Sequence, residues 1–405
     1  MASLDFTSYD AQLKQYFTDK VVQNLVNKNN PFLAWVPKNP NASGKSYEVP
    51  ITIGSLGGAS VDFAQAKAAR AGSVHKRFSV TWTNNYATGE LDEKTILASA
   101  NDRGAFLKAS VSEIENAMQV FANDTAKNLY GDGAGELGQV DSISTTTITL
   151  ANSDDAYKFE VGMKLSVVSD ANWPDGAARA DEPTVTAVDV NTGTITVSAA
   201  GTIAADDHLT KIGGARDAGS TVTLTGLQGW LPDDADIGGS DSFFGVNRSV
   251  DKMRLGGVKY NGSGDANVRT ALINGGARLF RVGGRPDAVF IHPDKFAALD
   301  VEMEGRARYD SARNMGDIGF DAIRLHTGAN VVDVIADPYC PKTYAFMLQR
   351  DTWELPSLGA APHLKERDGS VFHRLEGSDA VEFRAAGYYN LACTAPGYNA
   401  KITLP

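Results

Sequence analysis

Three glycines, Gly133, Gly135 and Gly138, match the G-x-G-x-x-G pattern that can cradle the pyrophosphate of a dinucleotide. That use requires a strand before the glycines and a helix after them, so that the helix dipole meets the phosphates. Here a helical pattern precedes the glycines and strand-forming sequence follows them. We therefore interpret this segment as a helix stop and linker, and we predict no cofactor.

His292, in the phrase FIHPD, is the histidine that most resembles a catalytic base. No Ser or Cys motif lies near it, and Asp294 is the single acid that could orient it. The six histidines form no H-x-x-x-H pair, and Cys340 and Cys393 form no zinc motif. We predict no catalytic and no metal-binding residue, so we expect a protein that is not an enzyme. A hydrolase that uses His292 stays an alternative.

A cationic segment is the more informative feature. Residues 54–77 read GSLGGASVDFAQAKAARAGSVHKR, with one acid, Asp62, and the four cations Lys67, Arg70, Lys76 and Arg77. On both sides the sequence alternates with period two, which indicates half-buried strands. The apolar positions of the two strands are Tyr47, Val49, Ile51 and Ile53 before the segment, and Phe78, Val80 and Trp82 after it.

This pattern predicts a two-stranded ribbon with a long, positively charged tip. A structureless loop of this length is uncommon unless it is functional or disordered. The tip could bind nucleic-acid phosphates, but its four charges are few and Phe63 is its one aromatic residue. We favour salt bridges to an acidic neighbouring surface, because the chain carries a net charge of −11.

The elements before the ribbon form an N-terminal arm. Apolar residues at three- and four-residue steps predict a helix over 9–28, which Pro31 ends. The prolines from Pro31 to Pro40 favour an extended path for FLAWV. Its apolar side chains need a groove, either in this subunit or in a neighbour. They are Phe32, Leu33, Trp35 and Val36.

After the ribbon, the spacing predicts one long helix over 101–129, which serves as a structural strut. Residues 138–213 then favour short strands, with a hairpin at Asn191-Thr192-Gly193. This segment has four Lys and Arg residues against eleven Asp and Glu residues, a net charge of −7. We predict a small, acidic, all-β barrel or sandwich inserted into an α+β host.

The 405 residues exceed one compact core, so we expect more than one domain. Two cysteines are too few for a disulfide framework and indicate reduced thiols. The sequence has no run of 18 apolar residues and its N-terminus lacks a signal-peptide pattern, so we expect no membrane association.

The order of these parts resembles the major capsid protein of tailed bacteriophages, of the Hong Kong 97 type. Phrases similar to one subgroup are TGLQGWL at 225–231, FGVNRS at 244–249, VKYNGSG at 258–264, RPDAVFIHP at 285–293 with VIADPYCP at 334–341, and the finish EFRAAGYYNLACTAPGYNAKI. The resemblance covers essentially the whole chain.

The resemblance implies an α+β fold of the Hong Kong 97 type with an inserted all-β domain. Its parts are the N-terminal arm at 1–44, the extended loop at 45–90, the peripheral domain at 91–137, 214–245 and 361–405 with a spine helix at 101–129, the inserted domain at 138–213, and the axial domain at 246–360. Some members of this family link their subunits covalently through a lysine of this loop and a distant asparagine. Lys67 lies in the loop, but the sequence identifies neither the asparagine nor an activating acid, so we predict no cross-link.

The resemblance also implies a structural function. Copies form hexamers and pentamers of an icosahedral shell, which encloses double-stranded DNA without reading its sequence. We expect a separate scaffolding protein, a portal and a decoration protein as partners, with assembly in the host cytoplasm and a final location in the virion. Subunit contacts are expected at Lys67, Arg70, Lys76 and Arg77, and at Phe32, Leu33, Trp35 and Val36. The alternatives are a carbohydrate- or cell-binding β-domain protein, and a tail or portal component.

Overall fold

A computed structural model describes most of the chain after residue 29. The described residues are 30–54, 59–70, 72–92, 103–174, 176–214, 222–239, 242–304, 322–328, 330–365, 373–374 and 380–405. The helix predicted over 9–28 lies outside this part of the chain.

The elements are named in chain order. The helices are α1 (Pro31–Trp35), α2 (Phe63–Ala68), α3 (Arg103–Asn128), α4 (Leu227–Trp230), α5 (Lys252–Gly256), α6 (Val268–Phe280) and α7 (Pro293–Glu304). The first strands are β1 (Lys38–Asn39), β2 (Ser46–Gly54), β3 (Val74–Thr81), β4 (Thr83–Asp92), β5 (Glu136–Ser144), β6 (Thr147–Leu150), β7 (Leu165–Val168), β8 (Val185–Asp189), β9 (Thr194–Val197) and β10 (His208–Lys211). The remaining strands are β11 (Val258–Asn261), β12 (Ala288–Ile291), β13 (Ala322–His326), β14 (Val331–Ala336), β15 (Tyr344–Leu348), β16 (Trp353–Pro356), β17 (His363–Leu364), β18 (His373–Arg374), β19 (Ala380–Tyr389), β20 (Ala392–Cys393) and β21 (Ala400–Thr403).

The long helix α3 lies within the range that its apolar spacing predicts, and its 26 residues give a length of about 39 Å. Its C-terminal half packs on a sheet in which β4 and β19 pair antiparallel over ten residues, with β17 and β18 on the other side of β19. Thr125 Oγ1 lies 2.7 Å from the hydroxyl of Tyr389, and Phe121 packs on the same ring. Because β4 belongs to this sheet, the free ribbon of β2 and β3 is shorter than 45–90.

A mixed six-stranded sheet separates two hydrophobic cores. Its strand order is β11-β21-β15-β12-β14-β13, with helices α6 and α7 on one face. Strand β12 is buried on both faces: Ala288 and Phe290 point to one core, Val289 and Ile291 to the other. This is the continuous apolar pattern of a strand covered on both sides.

Helix α6 contains two adjacent glycines, Gly275 and Gly276, which are unfavourable residues inside a helix. Both are buried, and a Cβ at Gly275 would collide with the side chain of Ile402 on β21. A Cβ at Gly276 would lie 2.6 Å from Thr327 Cβ. The glycines therefore let α6 approach the sheet closely, which is why they are tolerated inside a helix.

Strands β5 to β10 form a separate sheet with the order β7-β10-β5-β6-β9-β8, and every pairing in it is antiparallel. Its apolar side chains form a third core that contains residues from Leu137 to Leu209 and none from the other two cores. The turn between β8 and β9 has Gly193 at φ +66°, where the sequence predicted a hairpin. We call residues 136–211 the all-β unit.

Candidate subunit-contact surfaces

The ribbon of β2 and β3 is anchored at its root and free at its outer half. At the root Val49 lies opposite Phe78, and both side chains are buried. The Phe78 ring meets the Trp230 ring edge-on, with 5.1 Å between the centroids. Farther out, Ile51 lies opposite Lys76 and is only half-buried. Burial of the ribbon therefore decreases outward from Val49 and Phe78, although Ile51 and Ile53 still pack against the main core.

The tip of the ribbon contains helix α2, which the sequence analysis did not predict, and β3 already begins at Val74. The Asp62 side chain caps this helix by accepting a hydrogen bond from the Ala64 N–H. Val61 and Phe63, which flank the cap, are almost fully exposed. A capped helical turn thus presents two apolar side chains to solvent.

The four predicted cations fall in two places instead of one patch. Lys67 lies in the last turn of α2 and Arg70 just beyond it, whereas Lys76 and Arg77 lie on β3. Within the described part of the chain, Lys67, Arg70 and Lys76 make no ion pair, and all three are exposed. They are the cations available to a partner.

Arg77 already has a partner on the neighbouring strand. Its Nε lies 3.1 Å from Glu48 Oε2 across the ribbon. The hydroxyls of Ser46 and Ser79 donate hydrogen bonds to the same carboxylate at 2.7 and 2.8 Å. These two hydrogen bonds, and less strongly the charge of Arg77, lower the pKa of Glu48. Arg77 therefore belongs to a surface network of the ribbon itself.

The FLAWV segment is not extended, as the prolines suggested, but forms helix α1. Pro31 stands at the first helical position, where the missing N–H costs nothing and the fixed φ suits the helix. Phe32, Trp35 and Val36 are buried, and both aromatic rings contact Phe290 on β12. The groove that receives these side chains therefore belongs to the same chain. Leu33 is half-buried and remains the member of this set that a neighbour could contact.

Polar contacts fix both ends of α1. The Phe32 N–H donates to Asp337 Oδ2 at 3.1 Å, and the Tyr339 N–H donates to Asp337 Oδ1 at 3.0 Å. Burial raises the pKa of Asp337 to about 6, partly offset by these two hydrogen bonds. At the other end, Arg350 Nε donates to the carbonyl of Trp35 at 3.1 Å.

The all-β unit is tied to the body by lysines. Among the described residues, three ion pairs join the unit to the body: Lys127 with Glu160 at 3.2 Å, Lys211 with Asp124 at 2.6 Å, and Lys342 with Asp154 at 3.6 Å. Where the chain enters and leaves the unit, a Cβ at Gly135 would collide with the carbonyl of Gly214. The two points at which the chain passes between the body and the all-β unit are therefore adjacent. The connection between the two is narrow, and the contacts across it are polar.

A cleft of 530 Å³ lies beside the outer half of the ribbon. One wall is the run Pro50–Ile53 of β2. The opposite wall consists of Asp251, Arg254 and Leu255, of Val282, and of residues 394–398.

The residues singled out for enzymatic chemistry have structural contacts. His292 Nδ1 accepts a hydrogen bond from the Asp294 N–H at 3.2 Å, at the start of α7. Burial lowers the pKa of His292. Among the described residues, no three His, Cys, Asp or Glu side chains are placed to hold a metal ion. Cys340 and Cys393 are buried free thiols, and no described helix is both long and apolar enough to cross a membrane.

Comparison with known proteins gives a fold but no sequence family. No family model matches the chain, and no curated protein matches it. The capsid of cyanophage A-1(L) aligns with 99% of this chain and 98% of its own, at a TM-score of 0.55 and 11% identity. The capsid of the native GTA particle aligns with 100% of both chains, at a TM-score of 0.51 and 9% identity. The chain adopts this phage-capsid fold.

In this capsid fold, two asparagines of the C-terminal phrase that carried the sequence resemblance, Asn390 and Asn399, are buried and join distant segments of the chain. Asn399 is fully buried and accepts hydrogen bonds from the Gln349 N–H and from Trp353 Nε1, at 2.9 and 2.8 Å. Asn390 accepts from the Thr225 N–H and donates to the carbonyl of Thr81, at the end of the ribbon.

Sequence reasoning missed α2, Asp337 and the cleft. Asp62 before AQAKA was a readable capping signal for α2. The cleft gave no local signal, because its walls come from four separate parts of the chain.

Proposed function

We propose that this chain is the major capsid protein of a tailed double-stranded DNA bacteriophage. The observation that carries the proposal is the alignment of 99% of the chain with the cyanophage A-1(L) capsid. That alignment runs over almost the whole chain. In this proposal the ribbon serves as the extended loop and helix α3 as the spine helix of a shell subunit. In this proposal copies form hexamers and pentamers that close an icosahedral shell in the host cytoplasm and remain in the virion.

The proposed domains follow the capsid fold. Helix α3 and the β4–β19 sheet belong to the peripheral domain and form the wall of the shell. Residues 246–360 form the axial domain and meet their copies at the capsomer axis, while the ribbon crosses to a neighbour. The all-β unit, with the net charge of −7 carried by 138–213, is the inserted domain. An acidic, separately folded unit on a narrow connection suits an outward position or the docking of a decoration protein.

The ribbon tip supports the proposal independently of the fold comparison. Phe63 and Val61 are exposed apolar side chains at the end of a projecting element, and such groups mark protein contacts when they cluster. Lys67 and Arg70 lie beside them without an ion pair among the described residues. In a chain of net charge −11, this combination favours contact with other copies.

Electron microscopy of the purified protein tests the proposal. The protein is imaged in negative stain, alone and after co-expression with the scaffolding protein of the same phage. We expect capsomers or closed shells. A protein that stays monomeric under all assembly conditions contradicts the proposed function.

A further inference from the structure

The all-β unit is held to the rest of the chain on two different sides. On one side, its Glu160 and Lys211 form ion pairs with helix α3. On the other side, its Asp154 pairs with Lys342, which lies between strands β14 and β15 of the mixed sheet. Within the described part of the chain, this is the one ion pair between the unit and the mixed sheet. The unit therefore bridges two parts of the body that are separate elements of the fold.

The contacts with helix α3 are sheltered from solvent. The Lys127 side chain is only 6% exposed, and its Nζ donates a hydrogen bond to the carbonyl of Lys158 at 3.0 Å as well as pairing with Glu160. Lys211 Nζ lies 2.6 Å from Asp124 Oδ2. Separation of the unit from α3 would leave a nearly buried ammonium group without partners, which is strongly unfavourable. Salt screens such sheltered pairs much less than exposed ones.

The contact with the mixed sheet is weaker, because Lys342 has a better partner on its own side. Its Nζ lies 2.7 Å from Asp294 Oδ2 but 3.6 Å from Asp154 Oδ2, and its side chain is 44% exposed. His292 Nδ1 lies 3.8 Å from the same oxygen of Asp294 and completes this cluster. Loss of the Asp154 contact would leave Lys342 paired with Asp294 and release Asp154 to water. An exposed pair of this kind contributes little and is screened by salt.

The packing beside this weaker contact is incomplete. A cavity of about 130 Å³ lies between the unit and the loop that carries Lys342. Glu136 and Leu137 line it on the side of the unit, and Tyr339 and Pro341 line it on the side of the loop. The core of the unit contains no residue of the two cores of the body. The unit is therefore not close-packed against this loop.

The connections to the unit permit rotation. The chain enters through Gly133 and Gly135, at φ +97° and +81°, and leaves through Gly213, at φ +69°. Glycine adopts these angles without steric cost, and a few such residues can absorb the backbone change of a hinge. Because Gly135 lies against the carbonyl of Gly214, both connections are at one place and can serve as a single pivot.

We propose that the all-β unit is hinged: it stays on helix α3 and rotates away from the mixed sheet when the contact between Asp154 and Lys342 opens. The closed arrangement dominates at low ionic strength, and the open fraction rises with salt. Opening uncovers the surface around Tyr339, Pro341 and His292. The inference concerns a single chain, so it does not depend on the proposed function.

A distance between two spin labels tests the hinge. Ser144→Cys labels the end of β5 that lies farthest from the pivot, and Val331→Cys labels β14 of the mixed sheet; both positions are exposed. The native thiols are buried and stay unreactive. Double electron–electron resonance is recorded on the full chain at about 0.05 M and about 0.5 M salt. We expect a second distance whose population grows with salt. One unchanged distance under both conditions overturns the hinge.

Two neighbouring acids of one short helix, Ser153–Lys158, test the contact itself. Asp154→Asn should raise the second population at low salt about two- to fivefold, which is the effect of one exposed ion pair. Asp155→Asn is the matched control, because Asp155 pairs with Lys158 inside the unit at 2.7 Å, and it should leave the populations unchanged. An equal response of the two variants, or a salt effect without any response to Asp154→Asn, overturns the assignment of the contact to Asp154 and Lys342.

Discussion

The backbone N–H of Phe32 donates a hydrogen bond to Asp337 Oδ2 across 305 residues of sequence. This contact fixes the start of helix α1 to the end of β14, and it places a carboxylate in the core. Burial raises its pKa to about 6 from an ordinary value of 3.8. The folded protein therefore binds this proton more tightly than the unfolded chain does.

Stability should consequently respond to pH through Asp337. Because the folded pKa is raised, the contribution of this group to folding falls as pH rises through about 6. Between pH 5 and pH 7 the unmodified protein should lose about 1 kcal/mol relative to Asp337→Asn, which cannot titrate there. Urea unfolding of both proteins at the two pH values measures the difference. A constant difference would show that Asp337 does not change its protonation in this range.

Asn399 should be among the most sensitive polar positions. Its amide satisfies the Gln349 N–H and Trp353 Nε1 and donates to Thr352 Oγ1, all away from solvent. Asn399→Ala leaves these groups unpaired, so we expect a loss of about 3 kcal/mol in the free energy of unfolding. Asn84→Ala, at an exposed site on β4, is the control and should change it by less than about 0.5 kcal/mol. Equal losses in the two variants would contradict the role of Asn399.

Gly275→Ala should destabilise the protein although alanine favours helices. The intrinsic gain is about 1 kcal/mol, but the added methyl group collides with Ile402 and overpacking costs about 1–3 kcal/mol. Thermal unfolding should show a net loss. Ala277, which is exposed on the same helix, provides the opposite control: Ala277→Gly should cost about 1 kcal/mol from helix propensity alone. A more stable Gly275→Ala variant would mean that α6 can move away from β21.

The ribbon tip should matter for assembly and not for folding. Lys67→Ser combined with Arg70→Ser removes two exposed cations without an ion pair among the described residues, so the melting temperature of the subunit should not change. The yield of shells in electron micrographs should fall. Lys45→Ser with Arg278→Ser removes the same charge from two other exposed positions and is the control. Unchanged shells in the tip variant would rule out a contact through these cations.

Removal of the all-β unit should leave the body folded. Joining residue 136 to residue 213 is feasible because Gly135 and Gly214 are in contact, and the unit shares no core residue with the body. We expect a cooperative thermal transition and native-like circular dichroism in the shortened protein. An unfolded product would show that the body depends for its stability on the ion pairs with the all-β unit, and that its own two cores are not sufficient.

The sequence predicted the elements whose apolar residues repeat regularly. Val49, Phe78 and Val80 followed a period of two, and they form the buried root of the ribbon. Phe121 and Thr125 followed the helical spacing of α3, and both are buried against β19. The period of the apolar residues shows which face of a helix or strand is buried, because each such element packs one apolar face against the rest of the protein.

Positions that depend on distant segments were not predictable in this way. The prolines around FLAWV indicated an extended path, but Pro31 fits the first turn of a helix and packing of Phe32 and Trp35 against Phe290 decides the conformation. Nothing in the sequence around Asp337 shows that α1 covers it. The cleft required residues 50–53, 251–255 and 394–398 to meet, and that is a property of the tertiary fold alone.

Strand β12 links two of the three cores, because alternate side chains of one strand fill both. Neither of these cores can melt while the other stays intact, since the loss of β12 opens both at once. The third core has no such shared strand. On heating, the chain should therefore absorb heat in two separate steps, and a subunit whose all-β unit has melted can still hold its place in a larger assembly.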